Sequence, residues 1–164
     1  RDVERSRGLG DVYKRQGSRF EYKIDIAPEC MQCLIPKLVL QPMIENSVKY
    51  GFGNQLNLHV ELKAYIHEEK LMMICRDDGV GMSAAMVEKL CALMNQKEAP
   101  GRHSGLYNIH RRIQLLYGYP YGVEIRSLEG HGTTLVVTLP AVAEKNVHSV
   151  QGDNNDASGN DSGR

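Results

Sequence analysis

The chain has 164 residues, with 20 basic and 20 acidic side chains that cancel to a formal net charge of zero. That length accommodates one ordinary domain with a single core. The interspersed charge excludes the strongly basic field of a nucleic-acid binder, so the expected partner is a small molecule or a protein and no nucleic acid.

No run approaches the roughly 20 consecutive apolar residues of a spanning helix, and the first residues lack the apolar stretch of a signal peptide. No membrane contact by this segment is expected, and the expected location is cytoplasmic. Residues 1–17 scatter Arg1, Arg5, Arg7, Lys14 and Arg15 among glycines with neither a helix nor a strand period. They read as a disordered or appended segment, with the domain proper over 18–140.

Phe20 to Ile26 alternate apolar and polar residues, the period of a half-buried strand. Pro36 suits the first turn of a helix, and Leu40, Met43, Ile44 and Val48 then share one face, with Gly51 as the expected cap. Pro42 lies inside this pattern and removes a backbone donor, so the helix either kinks there or begins there. Leu56 to Ile66 and Lys70 to Arg76 are β-type runs, and His67-Glu68-Glu69 between them is a polar spacer compatible with a hairpin. Ser83 fits an N-cap, with Met86, Val87, Leu90, Leu93 and Met94 following at helical spacing. A polar stretch from Gln96 to Ser104 leads to a third helical pattern, Leu106 to Tyr117. Two final strands, Val123 to Arg126 and Thr134 to Leu139, are joined through Gly130 and Gly132. Residues 141–164 form a polar tail that cannot offset its ordering entropy and is expected to be disordered. Strands in antiparallel-looking pairs with intervening helices predict an α+β fold, a two-layer α/β sandwich.

Of the four cysteines, Cys30 and Cys33 have the spacing of half a zinc site or of a redox pair. Cys75 and Cys91 supply no second close pair, so ordinary reduced thiols are expected.

Three polar interruptions exceed what a core needs. The first is Glu45-Asn46 with Lys49-Tyr50 on the first helix. A solvated face with one i,i+4 ion pair accounts for it. The functional reading makes Asn46 an oxygen ligand for Mg²⁺, an ion that takes one or two protein oxygens beside phosphates and water. Lys49 then faces the phosphates, and Glu45 orients or deprotonates the group that attacks the γ-phosphate.

The second is Asp77-Asp78-Gly79-Val80-Gly81-Met82, directly after an apolar strand. It is either a simple turn or a ligand loop. Gly79 and Gly81 allow close backbone approach, and a carboxylate at the strand end can accept from the exocyclic amine of adenine. Guanine presents a carbonyl at that place, so Asp77 would select ATP. The third, Gly101 to Asn108, opens a helix, where free N–H groups can meet phosphate oxygens. Composition alone also permits a surface loop or a lid there, with His103 a solvated residue.

In this order and spacing, the three segments resemble the N, G1 and G2 boxes of the Bergerat-fold ATP-binding domain. Histidine kinases, gyrase-type topoisomerases, Hsp90-type chaperones and mismatch-repair ATPases share that domain. The runs from Ile35 to Gly51 and from Gly105 to Gly118 are similar to the LytS/YesM-type bacterial sensor histidine kinases. The resemblance spans roughly residues 19–140. It implies a mixed, mainly antiparallel sheet with helices packed on one face, and ATP and Mg²⁺ as cofactors. It implies Glu45 and Asn46 as base and metal ligand, with Lys49 and Tyr50 beside the nucleotide. Asp77 would hold adenine, with Gly79, Gly81 and Met82 alongside, and Gly105, Leu106 and Asn108 would form the second glycine box. The Thr133 hydroxyl would support the adenine-binding aspartate, often through water.

Tyr50 stands where this subgroup usually has histidine, Asp78 where asparagine is frequent, and His103 where the first glycine of the second box falls. The phosphoacceptor histidine of the family lies on a dimerising helix upstream, and none of the six histidines here has that context. The implied activity is protein-histidine kinase action on that separate segment, then relay to a response regulator, by a catalytic domain cut from a longer, membrane-anchored receptor. The alternatives are a non-catalytic nucleotide-binding scaffold and an ATPase or anti-sigma-type serine kinase of the same fold.

Overall fold

The structure is a computed structural model that describes residues 17–35, 39–96 and 105–142. Residues 1–16 of the expected appended segment, 143–164 of the expected tail, Pro36 and His103 lie outside these residues, while Ala141 and Val142, expected to be disordered, are bonded to Glu69 and Leu34. Five strands form one sheet: β1 (Arg19–Ile26), β2 (Asn57–His67), β3 (Lys70–Asp77), β4 (Gly122–Ser127) and β5 (Thr133–Pro140), in the spatial order β1-β2-β3-β5-β4. Three helices accompany it: α1 (Leu40–Gly51), α2 (Ala84–Met94) and α3 (Gly105–Tyr117), with a short 3₁₀ turn at Pro28–Gln32.

Side chains alternate across a strand, so each strand has one residue set for the core and one for the open face. Leu58, Val60 and Leu62 on β2, Leu71, Met73 and Cys75 on β3, and Leu135, Val137 and Leu139 on β5 form the buried set. Met43 of α1 and Leu106, Ile109 and Ile113 of α3 close the same cluster, so both helices lie on one face as expected. The opposite face is polar, with His59, Glu61, Lys63 and Arg76 in its rows. The α+β sandwich and its mixed sheet are thus present.

One pairing departs from the sequence reading: β1 runs parallel to β2, in register from Arg19↔Asn57 to Ile26↔Ala64, while all other pairs are antiparallel. The reason is topological. The 3₁₀ turn and α1 lie between these strands, and a crossover of that length brings the chain back in the same direction. A period of two carries no strand direction, so alternation in Phe20 to Ile26 could not distinguish the cases.

The proline ambiguity also resolves. Pro42 is the third residue of α1, inside the first turn, where backbone N–H groups have no intrahelical acceptor. Its missing donor costs nothing there. Gly51, expected as the cap, is instead the last helical residue, and the left-handed glycine comes two positions later at Gly53, φ 49°. Ser83 caps α2 as expected, accepting from Met86 N–H at 3.3 Å.

Candidate functional site

Asp77 closes β3 and is 3% exposed, between Val60 on β2 and Thr133 on β5. Its Oδ1 accepts from the backbone N–H of Gly79 at 3.0 Å and of Thr133 at 3.2 Å. Burial pushes the carboxyl above its ordinary range. The Gly79 N–H, the Ser47 hydroxyl and the Thr133 N–H pull it back down, and the charge of Asp78 adds to the rise. A carboxylate held at such a desolvation cost marks a functional position more often than a packing one.

Around it the backbone is packed to a degree only glycine allows. A Cβ on Gly79 would collide with the Gly51 carbonyl oxygen and lie 2.5 Å from Gly51 Cα. Val80 N–H donates to that same carbonyl at 2.9 Å. Gly81 adopts φ 68° against the Leu128 carbonyl, and Gly132 adopts φ 82° against the Asp77 carbonyl. These are left-handed conformations with no room for a side chain. This explains Gly51 better than a cap does. A Cβ there would meet Leu58 Cδ1 at 2.9 Å and Asp77 Oδ1 at 3.5 Å, so glycine is needed for approach and not for φ.

Ser127 ties the far side together. Its hydroxyl donates to the Gly132 carbonyl at 2.9 Å and accepts from Met82 N–H at 2.8 Å. It also lies 2.7 Å from Thr133 Oγ1, a contact in which either hydroxyl can be the donor. Thr133 holds Asp77 through its backbone N–H, and its hydroxyl is bonded to Ser127.

The first-helix residues lie on other faces of α1. Glu45 Oε1 accepts from Gln41 Nε2 at 2.9 Å, and Lys49 Nζ stands 5.1 Å over the Tyr50 ring. Among the described residues no ion pair links Glu45 to Lys49, the bland account of that spacing. Asn46 is half-buried and Tyr50 is 53% exposed. Gly105 begins α3 so close to α1 that an added Cβ would sit 3.1 Å from Pro42 Cβ. Leu106 is buried in the core, and Asn108 is exposed. The structure thus gathers Asp77, Gly79, Gly81, Met82 and Thr133 into one bonded cluster. Glu45, Asn46, Lys49 and Tyr50 are aligned along its neighbouring helix.

Sequence reasoning missed Ser47, which is 1% exposed, 3.7 Å from Cys75 Sγ, and whose hydroxyl acts on Asp77 to lower its carboxyl. The signal was present. Met43, Ser47 and Gly51 recur every four residues, and a polar residue on that inward stripe is unusual. Ser127 carried no such signal, because its role depends on a contact with Met82 across 45 positions. Among the described residues no helix is long and apolar enough to cross a membrane. All four cysteines are free, and no group of three or more His, Cys, Asp or Glu is arranged around a metal position among those residues.

Comparison with known proteins agrees with this geometry. The family described as histidine kinase-, DNA gyrase B-, and HSP90-like ATPase matches residues 34–143. The chain is 34% identical over 125 residues to the sensor histidine kinase YesM of Bacillus subtilis, covering 74% of this chain and 20% of that protein. It is 30% identical over 127 residues to the sensor protein LytS of Staphylococcus saprophyticus, covering 77% of this chain and 21% of that protein. The chain therefore spans about a fifth of these relatives. Among solved structures it superposes on the histidine kinase domain of a blue-light activated histidine kinase from Erythrobacter litoralis with a TM-score of 0.52. That match has 17% identity and covers 83% of this chain and 57% of that one, a likeness of fold. With its match over residues 34–143 and the buried aspartate in a glycine cradle, this chain belongs to the histidine kinase-, DNA gyrase B- and HSP90-like ATPase family.

Proposed function

We propose that this chain is the catalytic, ATP-binding portion of a two-component sensor histidine kinase. It would transfer the γ-phosphoryl group of ATP to a histidine on a separate dimerisation segment, for relay to an aspartate of a response regulator. The observation that carries the reading is Asp77: a buried carboxylate at a strand end, held by two backbone N–H groups amid glycines that leave no room for side chains. Such a group accepts a hydrogen bond from the exocyclic amine of adenine and repels the carbonyl of guanine, a preference of roughly ten- to a hundredfold.

The N-terminus of α3 at Gly105 lies against the first turn of α1, and its first backbone N–H groups would meet the phosphates there. Lys49 would neutralise phosphate charge. The donor set suits Mg²⁺: Asn46 supplies one hard amide oxygen on a half-buried face of α1, beside the Glu45 carboxylate, and phosphates and water would complete the octahedron. When bound, the ion would neutralise charge on the β- and γ-phosphates and fix their orientation. Glu45, aligned by its 2.9 Å bond from Gln41, would accept the proton from the protonated ring nitrogen of the acceptor imidazole as the lone pair of the other nitrogen forms the new P–N bond and the bond to ADP breaks. The Glu45 carboxylate so protonated later returns its proton to water.

The test is in two stages. The chain should bind ATP with Mg²⁺ in calorimetry, and Asp77→Asn should weaken binding by at least tenfold; an unchanged affinity would defeat the adenine assignment. Mixed with the acceptor-helix segment of a related kinase, the chain should produce acid-labile phosphohistidine, and Asn46→Asp should suppress it. Acid-stable phosphoserine on a partner protein would favour a serine kinase instead.

A further inference from the structure

The chain leaves the sheet at Asp78, and it does so in an unusual way. Asp78 N–H still donates to the His59 carbonyl at 3.2 Å, the last rung of the β2–β3 ladder. The return donor, His59 N–H, is taken at 2.7 Å by the Asp78 side-chain oxygen Oδ1 and not by a main-chain carbonyl. The carboxylate thus replaces a backbone acceptor, and the main chain is released to turn at once toward Gly79 and Gly51. Its second oxygen, Oδ2, lies 2.8 Å from His59 Nδ1. On the other side of the ring, Nε2 lies 2.9 Å from Oε2 of Glu21, the residue paired with His59 across the β1–β2 ladder.

A carboxylate only accepts. Both ring contacts can therefore be hydrogen bonds only when both nitrogens carry protons, in the imidazolium form, and a neutral ring must give one up. We propose that His59 is a positioning residue for the adenine loop: a protonated bridge from Glu21 to Asp78 that holds the turn after Asp77 in its nucleotide-binding geometry and loosens it as pH rises. This rests on the reading of Asp77 as the adenine acceptor.

The other charged groups around the ring are Arg19 on β1, on one side of the Glu21–His59–Asp78 row, and Lys23 on β1, Glu61 on β2 and Arg76 on β3 on the other. Their signs are mixed, so the two bonded carboxylates dominate. The hydrogen bond and charge of Asp78, and then the charge of Glu21, hold the imidazole above its ordinary value of 6.5 against the opposing effect of desolvation. A group with a raised folded-state value is fully engaged below 6.5 and disengages as pH rises through that raised value. Asp78 itself sharpens the point. Asparagine, frequent here in similar proteins, could accept from His59 N–H and also donate to a neutral ring nitrogen, whereas aspartate demands the charged ring.

Two measurements test this on the intact chain. In NMR without nucleotide, the His59 ring should titrate above 6.5, and the Gly79 amide should shift with the same midpoint. In calorimetry with ATP and Mg²⁺, affinity should fall about two- to fivefold as pH rises through that midpoint, the range of an exposed charge-assisted pair. His59→Gln titrated with the same nucleotide cancels the ionisation of the phosphates, and it should show no such fall; neither should Asp78→Asn. A His59→Gln profile that tracks the wild type, or a Gly79 amide indifferent to the ring, overturns the proposal. If wild-type chain binds no ATP, the kinase reading fails by itself, while the coupling of ring and amide still stands or falls on the NMR result.

Discussion

The main chain of Gly79 lies directly against that of Gly51, with Val80 N–H bonded to the Gly51 carbonyl at 2.9 Å, so the end of α1 and the loop after β3 meet through backbone alone. The two glycines are not equivalent. A Cβ on Gly79 meets fixed backbone atoms, whereas one on Gly51 meets the movable tip of Leu58. Gly79→Ala should cost about 2 to 3 kcal/mol or prevent folding, and Gly51→Ala about 1 to 2 kcal/mol. Urea denaturation of the two variants checks the order, and a Gly51→Ala variant the less stable of the pair would contradict the geometry.

Asp77 should show a conflict between stability and binding. Its carboxyl is raised in the fold, chiefly by burial, so the contribution of this group is most favourable below its ordinary value of 3.8 and is lost as pH rises through the raised value. At neutral pH the charged form is a liability for the empty domain. Asp77→Asn, which keeps an oxygen for the Gly79 and Thr133 donors, should therefore hold or raise the melting temperature at pH 7 while losing ATP. Thermal melts with and without nucleotide decide it; a clear loss of stability without ligand would show the carboxylate to be structural.

His110 works in the opposite direction. The ring is 6% exposed, its Nδ1 accepts from Val123 N–H at 2.9 Å, and its Nε2 has no partner among the described residues. The accepting Nδ1 fixes the neutral tautomer with the proton on Nε2. Burial, and then the charge of Arg111, lower its value below 6.5. Stability from this neutral ring is present above 6.5 and is lost as pH falls through the lowered value. His110→Gln retains an acceptor for Val123, so its urea midpoint should depend less on pH below 6.5 than that of the wild type.

The β2–β3 hairpin holds Glu68 at φ 47° and Glu69 at φ 61°, both left-handed, in a two-residue loop between His67 and Lys70. That geometry favours asparagine followed by glycine. Replacing Glu68→Asn and Glu69→Gly together should stabilise the domain by about 0.5 to 2 kcal/mol with no change in ATP affinity. The Glu69 carbonyl, which accepts from Ala141 N–H at 2.9 Å, is kept in the variant. A melting temperature that falls would show that the glutamate side chains contribute more than the turn.

Much of this molecule was legible in the order of its residues. Apolar periods located all five strands and three helices, because burial on one face demands that spacing whatever the surroundings. Asp77, Gly79 and Gly81 stood out as polar and small residues where a strand should have continued. Other features depend on which segments meet. The parallel direction of β1 follows from the crossover through α1 and not from its own alternation. The tight space at position 51 arises from Leu58, and Thr133 reaches Asp77 through its backbone N–H. The role of His59 depends on Glu21 and Asp78 meeting on either side of its ring. Sequence spacing encodes contacts within one helix or strand. Hydrogen bonds and close backbone approaches between distant segments have no period, so only the tertiary structure decided them.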